Sequence, residues 1–525
     1  MKKNREIICG LTAWILTVCF FLSCLLIPGL SERISEHGNI NILVYGMTLV
    51  LFCILFLAGM AWSTSRQNNS LKLTESPVVK KTALVFLLGS QLPFWIVCVT
   101  RETEQVGTVS MKYGWHTQPL AVMILLFLAE LAVFFWMYEN LSLTEKKGEW
   151  IIWLTYAALV VLIFYCMYTP NIYGRGEQGD NYHAHAYFNS VYNVYQGVPY
   201  THNVTSIYGH YGLFFKIPMK LVHGDFRAFV LMMAGLGVLT YIGAFLVLQM
   251  LVRSRILRVI AAFALAFPVL GMRGGYYWQV WPHRVLFPVL LLLYGTVILK
   301  KKRSSLLTAA GGYLICLLAI LWNTETGLLL TVSWAGLYIS RLLSRKKWKI
   351  RELLFSIGAQ AAGMIFAFTG AYGIVNLYNL SKHSPMNSVR DFLIPLLSDG
   401  YMTDILHLDL PTYPSAYMAV ITLFLTGVAM GIAGWFGDKE ERCWETDLIF
   451  MLSVGALGCL VYYMNRPSYH NLDCISISAV LLAAYLAQYG LDFVKKNGWK
   501  NIARITFYEV VRGGIGVICA ASVLA

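Results

Sequence analysis

The chain has 525 residues, is 58% apolar and only 13% charged, and has a mean hydropathy of +0.60, which excludes an ordinary soluble globular protein and a disordered chain alike. Its 41 Lys and Arg against 27 Asp and Glu give a net charge of +14, but the basic residues are spread over separate short connections, which argues against a nucleic-acid-binding surface. The 11 cysteines lie mostly in apolar stretches, show no CxxC or Cys/His metal spacing, and read as small buried apolar residues.

A helix needs about 20 mostly apolar residues to cross a bilayer. That rule gives about fifteen candidate spans, near 7–30, 41–62, 82–99, 119–139, 150–168, 227–252, 256–272, 285–299, 306–322, 327–344, 353–379, 415–436, 447–464, 474–493 and 506–525. The first is long for a signal peptide, lacks a convincing small-residue cleavage site, and reads as a retained helix. With the N-terminus (Lys2, Lys3, Arg5) in the cytoplasm, 28 of the 41 basic residues fall on inner connections, 12 on outer ones, and Arg512 within the last span. Every inner connection carries at least two, as the positive-inside rule requires. The expected fold is therefore an all-α, multi-pass cell-membrane protein. Residues 1–149 form a four-helix accessory bundle and 150–525 the core. The chain ends at Ala525 inside an apolar stretch, either flush with the outer face or as a fragment.

Three outer connections are long: 101–118, 170–227 and 380–415. The second, after the fifth span, gathers Glu177, Asp180, His183, His185, His202, His210 and many tyrosines. Titratable and aromatic groups collected at one membrane interface point to chemistry or binding there. Within it Ala184, Phe188, Val191 and Tyr195 fall at helical spacing, and so do Leu213, Phe214, Ile217 and Leu221, with Lys216 and Lys220 opposite. Both stretches read as amphipathic helices lying in the interface, the second kinked or shortened by Pro218.

Asp180 begins the first of these helices, where an N-cap is the ordinary role and a general base the functional one. Glu177 precedes it by three residues as a second carboxylate, and His183 completes Asp-x-x-His, which sets both groups on one helix face. Asp180 and His183 are the candidate ligands of a divalent ion, a pair that still wants a further ligand from a distant loop. Tyr208 and His210 lie in NVTSIYGHYGLF, His283 and Arg284 close RGGYYWQVWPHR, Glu325 sits in WNTETG, and Arg466 and His470 in MNRPSYHNLD. Each alone has a dull explanation, since arginines snorkel and aromatic residues form interface belts. Together they fall at one membrane depth on one side.

Carboxylates plus arginines at the outer leaflet suit group transfer from a lipid phosphate. A carboxylate deprotonates an acceptor hydroxyl, and the planar fork of an arginine stabilises the departing phosphate. Over about residues 150–525 the chain resembles the GT-C superfamily of integral-membrane glycosyltransferases, on GDNYH around Asp180, the interfacial helices that follow, NVTSIYGHYGLF, WPHR, WNTETG and YYMNRPSYHNL. The resemblance implies a polyprenyl-phosphate-linked sugar donor and a glycan, lipid or protein acceptor. It implies Asp180 as catalytic base or metal ligand, with Glu177 beside it as the second catalytic candidate read from the residues, and Arg284 and Arg466 as contacts to the lipid phosphate. The remaining candidates, His183, Tyr208, His210, His283, Glu325 and His470, would line the substrate site. The chain departs from the family pattern in three ways: four spans precede the core, the two carboxylates are not adjacent, and no outer soluble domain follows. A transporter or flippase, a non-catalytic envelope-assembly protein, and a polymerase or ligase of lipid-linked glycans are the alternatives. No GxxxxGK[ST] loop is present, which argues against a nucleotide-sugar donor.

Overall fold

The structure is a computed structural model that describes residues 2–65, 76–82, 103–106, 109–112, 149–168, 178–201, 208–271, 278–302, 306–345, 348–397, 410–411, 416–436, 443–497 and 510–511. These residues form helices, apart from one antiparallel hairpin, β1 (Thr103–Val106) with β2 (Val109–Lys112), inside the connection expected over 101–118.

Among the described residues nine helical segments are long and apolar enough to cross a membrane. They belong to α1 (Lys2–Leu26), α3 (Ile40–Ser65), α4 (Glu149–Met167), α7 (Phe226–Leu251), α11 (Thr324–Leu343), α12 (Ile350–Leu380), α15 (Ala416–Phe436), the run from α16 (Trp444–Cys459) into α17 (Val461–Asn465), and α19 (Ser476–Asn497). The short helix α2 (Pro28–Ser35) links the first two. Three further expected spans, 256–272, 285–299 and 306–322, are helices of 15 to 17 residues: α8 (Arg255–Gly271), α9 (Leu286–Lys300) and α10 (Leu306–Trp322). The expected span 82–99 but for Thr82, the span 119–139, and all of 506–525 but two residues lie outside the described residues.

Helix ends follow local chemistry. Asp225 caps α7 by accepting from Ala228 N at 2.9 Å, and Asn323 caps α11 by accepting from Thr326 N at 2.9 Å. α11 packs against α10, α12 and α16 and forms the centre of the bundle. Its small polar side chains lock neighbours: Ser333 Oγ donates to Met451 O at 2.6 Å, and Ser340 Oγ accepts from Trp435 Nε1 at 2.9 Å. Such bonds hold well where no water competes. α1 and α3 pack on each other and on the core, with Trp14 Nε1 donating to Thr422 Oγ1 at 3.2 Å and Tyr45 OH to Leu457 O at 2.5 Å.

The bundle has two poles. At one, Glu149 pairs with Arg258 at 3.1 Å and Arg255 at 3.5 Å, and Arg253 with Asp492 at 2.9 Å. Arg258 also donates to the carbonyls of Val252 and Arg253, so each of its nitrogens has a partner and it serves to tie α4 to α8. At the other lie α5 (Gln178–Gln196) and α6 (Gly212–Leu221), the two helices expected in the long loop. α5 buries Tyr187, Ser190, Val191 and Val194, a stripe that overlaps the expected apolar face and is turned slightly from it. α6 buries Gly212, Phe215 and Met219 against the protein and leaves Ile217 and Leu221 exposed. It contains Pro218 and ends three residues later.

Candidate functional site

Four of the expected site residues converge at the pole where α5 and α6 lie. The turn 278–285 precedes α9 and is closed by Arg284 N donating to Val280 O at 3.0 Å; its Trp281–Pro282 peptide is cis. Across from it, the tight junction of α10 and α11 puts Glu325 in the first turn of α11, where a carboxylate suits the helix dipole. Residues 208–210 are stitched onto that junction by two backbone bonds, His210 N to Leu321 O at 2.7 Å and Thr324 N to Tyr208 O at 2.9 Å. Gly209 makes this approach possible, because a Cβ there would stand 2.6 Å from Trp322 O. Tyr208 itself takes a positive φ of 69°.

Arg284 is the centre of the arrangement. Its Nη2 donates to Glu325 Oε2 at 3.2 Å, and its guanidinium carbon lies 3.5 Å from the Tyr462 ring centroid and 4.6 Å from that of Tyr208. Tyr462, on α17, is fixed by its hydroxyl donating to Gln279 Oε1 at 2.6 Å. Behind the pair, His283 is enclosed by Tyr211 at 4.9 Å, Tyr187 at 5.1 Å and Trp322 at 5.6 Å, ring centre to ring centre. Trp322 Nε1 donates to His283 O at 2.9 Å.

The Arg284 side chain is 3% exposed, and that of Glu325 is 24% exposed, so the pair opens on the carboxylate side. Burial is the largest single influence and works against the guanidinium charge, but Glu325 and the nearby tyrosines together outweigh it, and the Arg284 pKa is raised. The group is charged, yet its Nε and Nη1 have no hydrogen-bond partner. Buried charge-bearing donors left unused are costly. His283 is held neutral: burial, then Arg284, push its pKa well below the usual imidazole value, and neither ring nitrogen has a partner. A cavity of about 30 Å³ lined by Pro288, Leu330, Ser333, Met451, Cys459 and Cys474 has room for one water, not for a sugar.

The remaining expected residues fall elsewhere or outside. His210 is buried, stacked on Phe392 at 4.8 Å and edge-on to Tyr200 at 4.9 Å, and burial pushes its pKa down to about 3. Arg466 shapes the turn after α17. Its N donates to Tyr462 O at 3.3 Å, its carbonyl accepts from Asn471 Nδ2 at 2.8 Å, and its buried Nε has no partner. His470 is in the short helix α18 (Tyr469–Leu472) just beyond. Among the described contacts none joins His210, Arg466 or His470 to Arg284. Asp180 and His183 lie on α5, the helix that brings Tyr187 to His283, but their side chains lie outside the described residues, as does Glu177 altogether. Among the described residues no group of three or more His, Cys, Asp or Glu is placed to hold a metal ion. Tyr187, Tyr462 and Gln279 were not singled out by sequence. The one available signal was Tyr462 standing a helical turn before Arg466.

Fold and site together define a helical membrane protein with a buried, half-engaged ion pair in an aromatic cage at one pole. The chain matches no protein-family model, no curated protein and no solved structure.

Proposed function

We propose that the protein is an integral-membrane glycosyltransferase that moves a sugar from a polyprenyl-phosphate donor to a glycan, lipid or protein acceptor at the outer face of a cell membrane. In this reading the chain crosses about fifteen times with its N-terminus in the cytoplasm. The observation that carries it is Arg284, a buried, charged guanidinium with two unused donors, reached past Glu325 and walled by Tyr208 and Tyr462. A phosphate oxygen satisfies such donors, and tyrosine rings suit the faces of a sugar or an isoprenoid.

The chemistry follows from those roles. Asp180 takes the proton of the acceptor hydroxyl, whose oxygen attacks the anomeric carbon. The carbon–oxygen bond to phosphate breaks and the polyprenyl phosphate leaves with the electron pair, so configuration inverts. Arg284 stabilises the charge gained by the leaving phosphate. Glu325 holds the guanidinium in place, and His283, neutral and enclosed, adds no competing charge.

The test is transfer of radiolabelled sugar from a panel of polyprenyl-phosphate sugars by the purified protein, beside Asp180→Asn. Transfer by the wild type and its loss by at least a hundredfold in the variant, with donor binding kept, is the expected result. Near-normal transfer by Asp180→Asn would leave Asp180 only a first-turn carboxylate of α5, which starts at Gln178, two residues before the position expected from sequence. Neither transfer nor binding of any donor by the wild type would overturn the reading.

A further inference from the structure

Away from the Arg284 cage, three lysines gather where α6 meets the end of α12. Lys216 Nζ stands over the Tyr378 ring at 4.9 Å. Lys382 lies along Gly197, which has a φ of 83° and where a Cβ would stand 2.8 Å from Lys382 Nζ. Among the described residues none of the three ammonium groups takes part in an ion pair. Burial, then the charges of Lys382 and Lys220, lower the pKa of Lys216, and no carboxylate offsets them. Like charges so placed are unfavourable until an anion joins them.

The neighbouring surface is apolar. Ile217 and Leu221 on α6 are 71% and 76% exposed, and Leu377 and Leu380 on α12 are 67% and 49% exposed. Cations beside exposed aliphatic side chains on a short surface helix are the pattern of a headgroup and chain boundary. A soluble anion would use the lysines and leave the apolar side chains in water. A membrane lipid uses both.

We propose that Lys216 and Lys382, with Lys220 at the edge, bind the phosphate of an anionic membrane lipid whose chains lie against Ile217, Leu221 and Leu377. The site has a mechanical link to the cage. Tyr378, under Lys216, donates to Val198 O at 2.9 Å and sits edge-on to Tyr200 at 5.8 Å; Tyr200 in turn packs on His210, two residues from Tyr208. A bound headgroup would therefore steady the segment that carries Tyr208 onto Arg284. The inference needs only the membrane reading, not the transferase reading.

Native mass spectrometry of the full chain in detergent, titrated with phosphatidylglycerol, phosphatidylcholine or inorganic phosphate, tests it. Wild type should bind phosphatidylglycerol more tightly than phosphatidylcholine. Lys216→Gln with Lys382→Gln should weaken phosphatidylglycerol about thirtyfold, two surface lysines together contributing that much. Lys216→Arg with Lys382→Arg should restore binding, and Lys300→Gln with Lys301→Gln should leave it unchanged. If the double glutamine variant does not fold, Lys382→Gln alone should give a smaller loss in the same direction. Unchanged phosphatidylglycerol affinity in a folded glutamine variant, or equal affinity for phosphatidylcholine, would overturn the proposal. Displacement of the lipid by inorganic phosphate would overturn it too, in favour of a free-anion site.

Discussion

At Arg284 the shape of the cation matters as much as its charge. A guanidinium can lie against the rings of Tyr208 and Tyr462 and still direct Nη2 to Glu325, whereas an ammonium is a point donor with no face. Arg284→Lys should therefore fold and bind lipid-phosphate donor about ten- to a hundredfold more weakly, read as a raised KM or donor Kd. Unaltered donor affinity would remove Arg284 from the phosphate site. Arg284→Ala leaves the Glu325 carboxylate partly buried without its cation and should cost about 1–3 kcal/mol of stability, seen as a lower Tm in detergent. His210 makes a separate prediction with a definite sign. Its folded pKa of about 3 lies below the ordinary imidazole value, so the unfolded chain takes up the proton first as pH falls. The stabilisation is complete above about pH 6.5 and is lost progressively toward pH 3; at pH 5 the loss is roughly 2 kcal/mol. Tm should fall between pH 7.5 and 5, and less steeply in His210→Phe, which can keep the stack on Phe392. Equal slopes in the two proteins would refute this account. Arg284 and Glu325 were legible in the sequence as polar residues at span mouths. Tyr462 was not, because a tyrosine at a helix end has an equally good reading as part of an interface belt.

At the scale of elements, a short polar network holds the loop helices to the bundle. Asn379, fully buried near the end of α12, accepts from Tyr200 N at 2.8 Å and donates to Tyr200 O at 2.6 Å and Asn387 Oδ1 at 3.1 Å. Asn387 N in turn donates to Asn376 Oδ1 at 2.7 Å, and Tyr372 OH to Asn387 O at 2.6 Å. One side chain thus satisfies both backbone groups of Tyr200 and anchors the segment leading to α13 (Val389–Phe392), whose Phe392 packs on His210. Asn379→Leu should cost about 2–4 kcal/mol, since it strands two buried backbone groups. It should also speed proteolysis within 384–397, and unchanged protection there would show that the network is not what fixes this segment. Sequence located α5 and α6 but not which way α6 faces. The expected Leu213, Phe214, Ile217, Leu221 stripe is split: Leu213 and Phe214 pack on the protein with Phe215 and Met219, while Ile217 and Leu221 are exposed. Hydrophobic periodicity cannot separate those two sides, because lipid is as apolar as a protein interior. The runs expected at 256–272, 285–299 and 306–322 are helices, α8, α9 and α10, but at 15 to 17 residues they are shorter than the usual ~20 and would need their flanking turns to complete a crossing.

For the whole molecule, the structure separates two chemistries by the height of the bundle, and this bears on orientation. The cage pole carries Arg284 and the aromatic cluster. α9 leads away from it for 15 residues, about 22 Å, to Lys300 and Lys301. α7 likewise runs 26 residues from Phe226, beside Trp278, to the pole of Arg253, Arg255 and Arg258. The turn after α2 belongs to the cage pole, because Asn39 Nδ2 donates to Asn465 Oδ1 at 3.2 Å, just before Arg466. Among the described residues, Arg253, Arg255, Arg258, Lys300 and Lys301, all counted as inner, therefore lie at one end, and Tyr208, His283, Arg284 and Glu325 at the other. Under the proposed orientation, with the N-terminus inside, the cage pole is the outer face. The check is labelling of intact cells with a membrane-impermeant maleimide, after replacing the native cysteines. Single cysteines at Glu36, Ser468 and His383 should all react, and one at Lys301 should react only after permeabilisation. Labelling of Lys301→Cys alone in intact cells would invert the protein and put the cage in the cytoplasm. The lipid-linked donor would then have to be met on the side where nucleotide sugars are available, and the transferase reading would lose its reason for excluding them. A mixed pattern, with Glu36→Cys and Ser468→Cys on opposite sides, would contradict the Asn39–Asn465 contact itself.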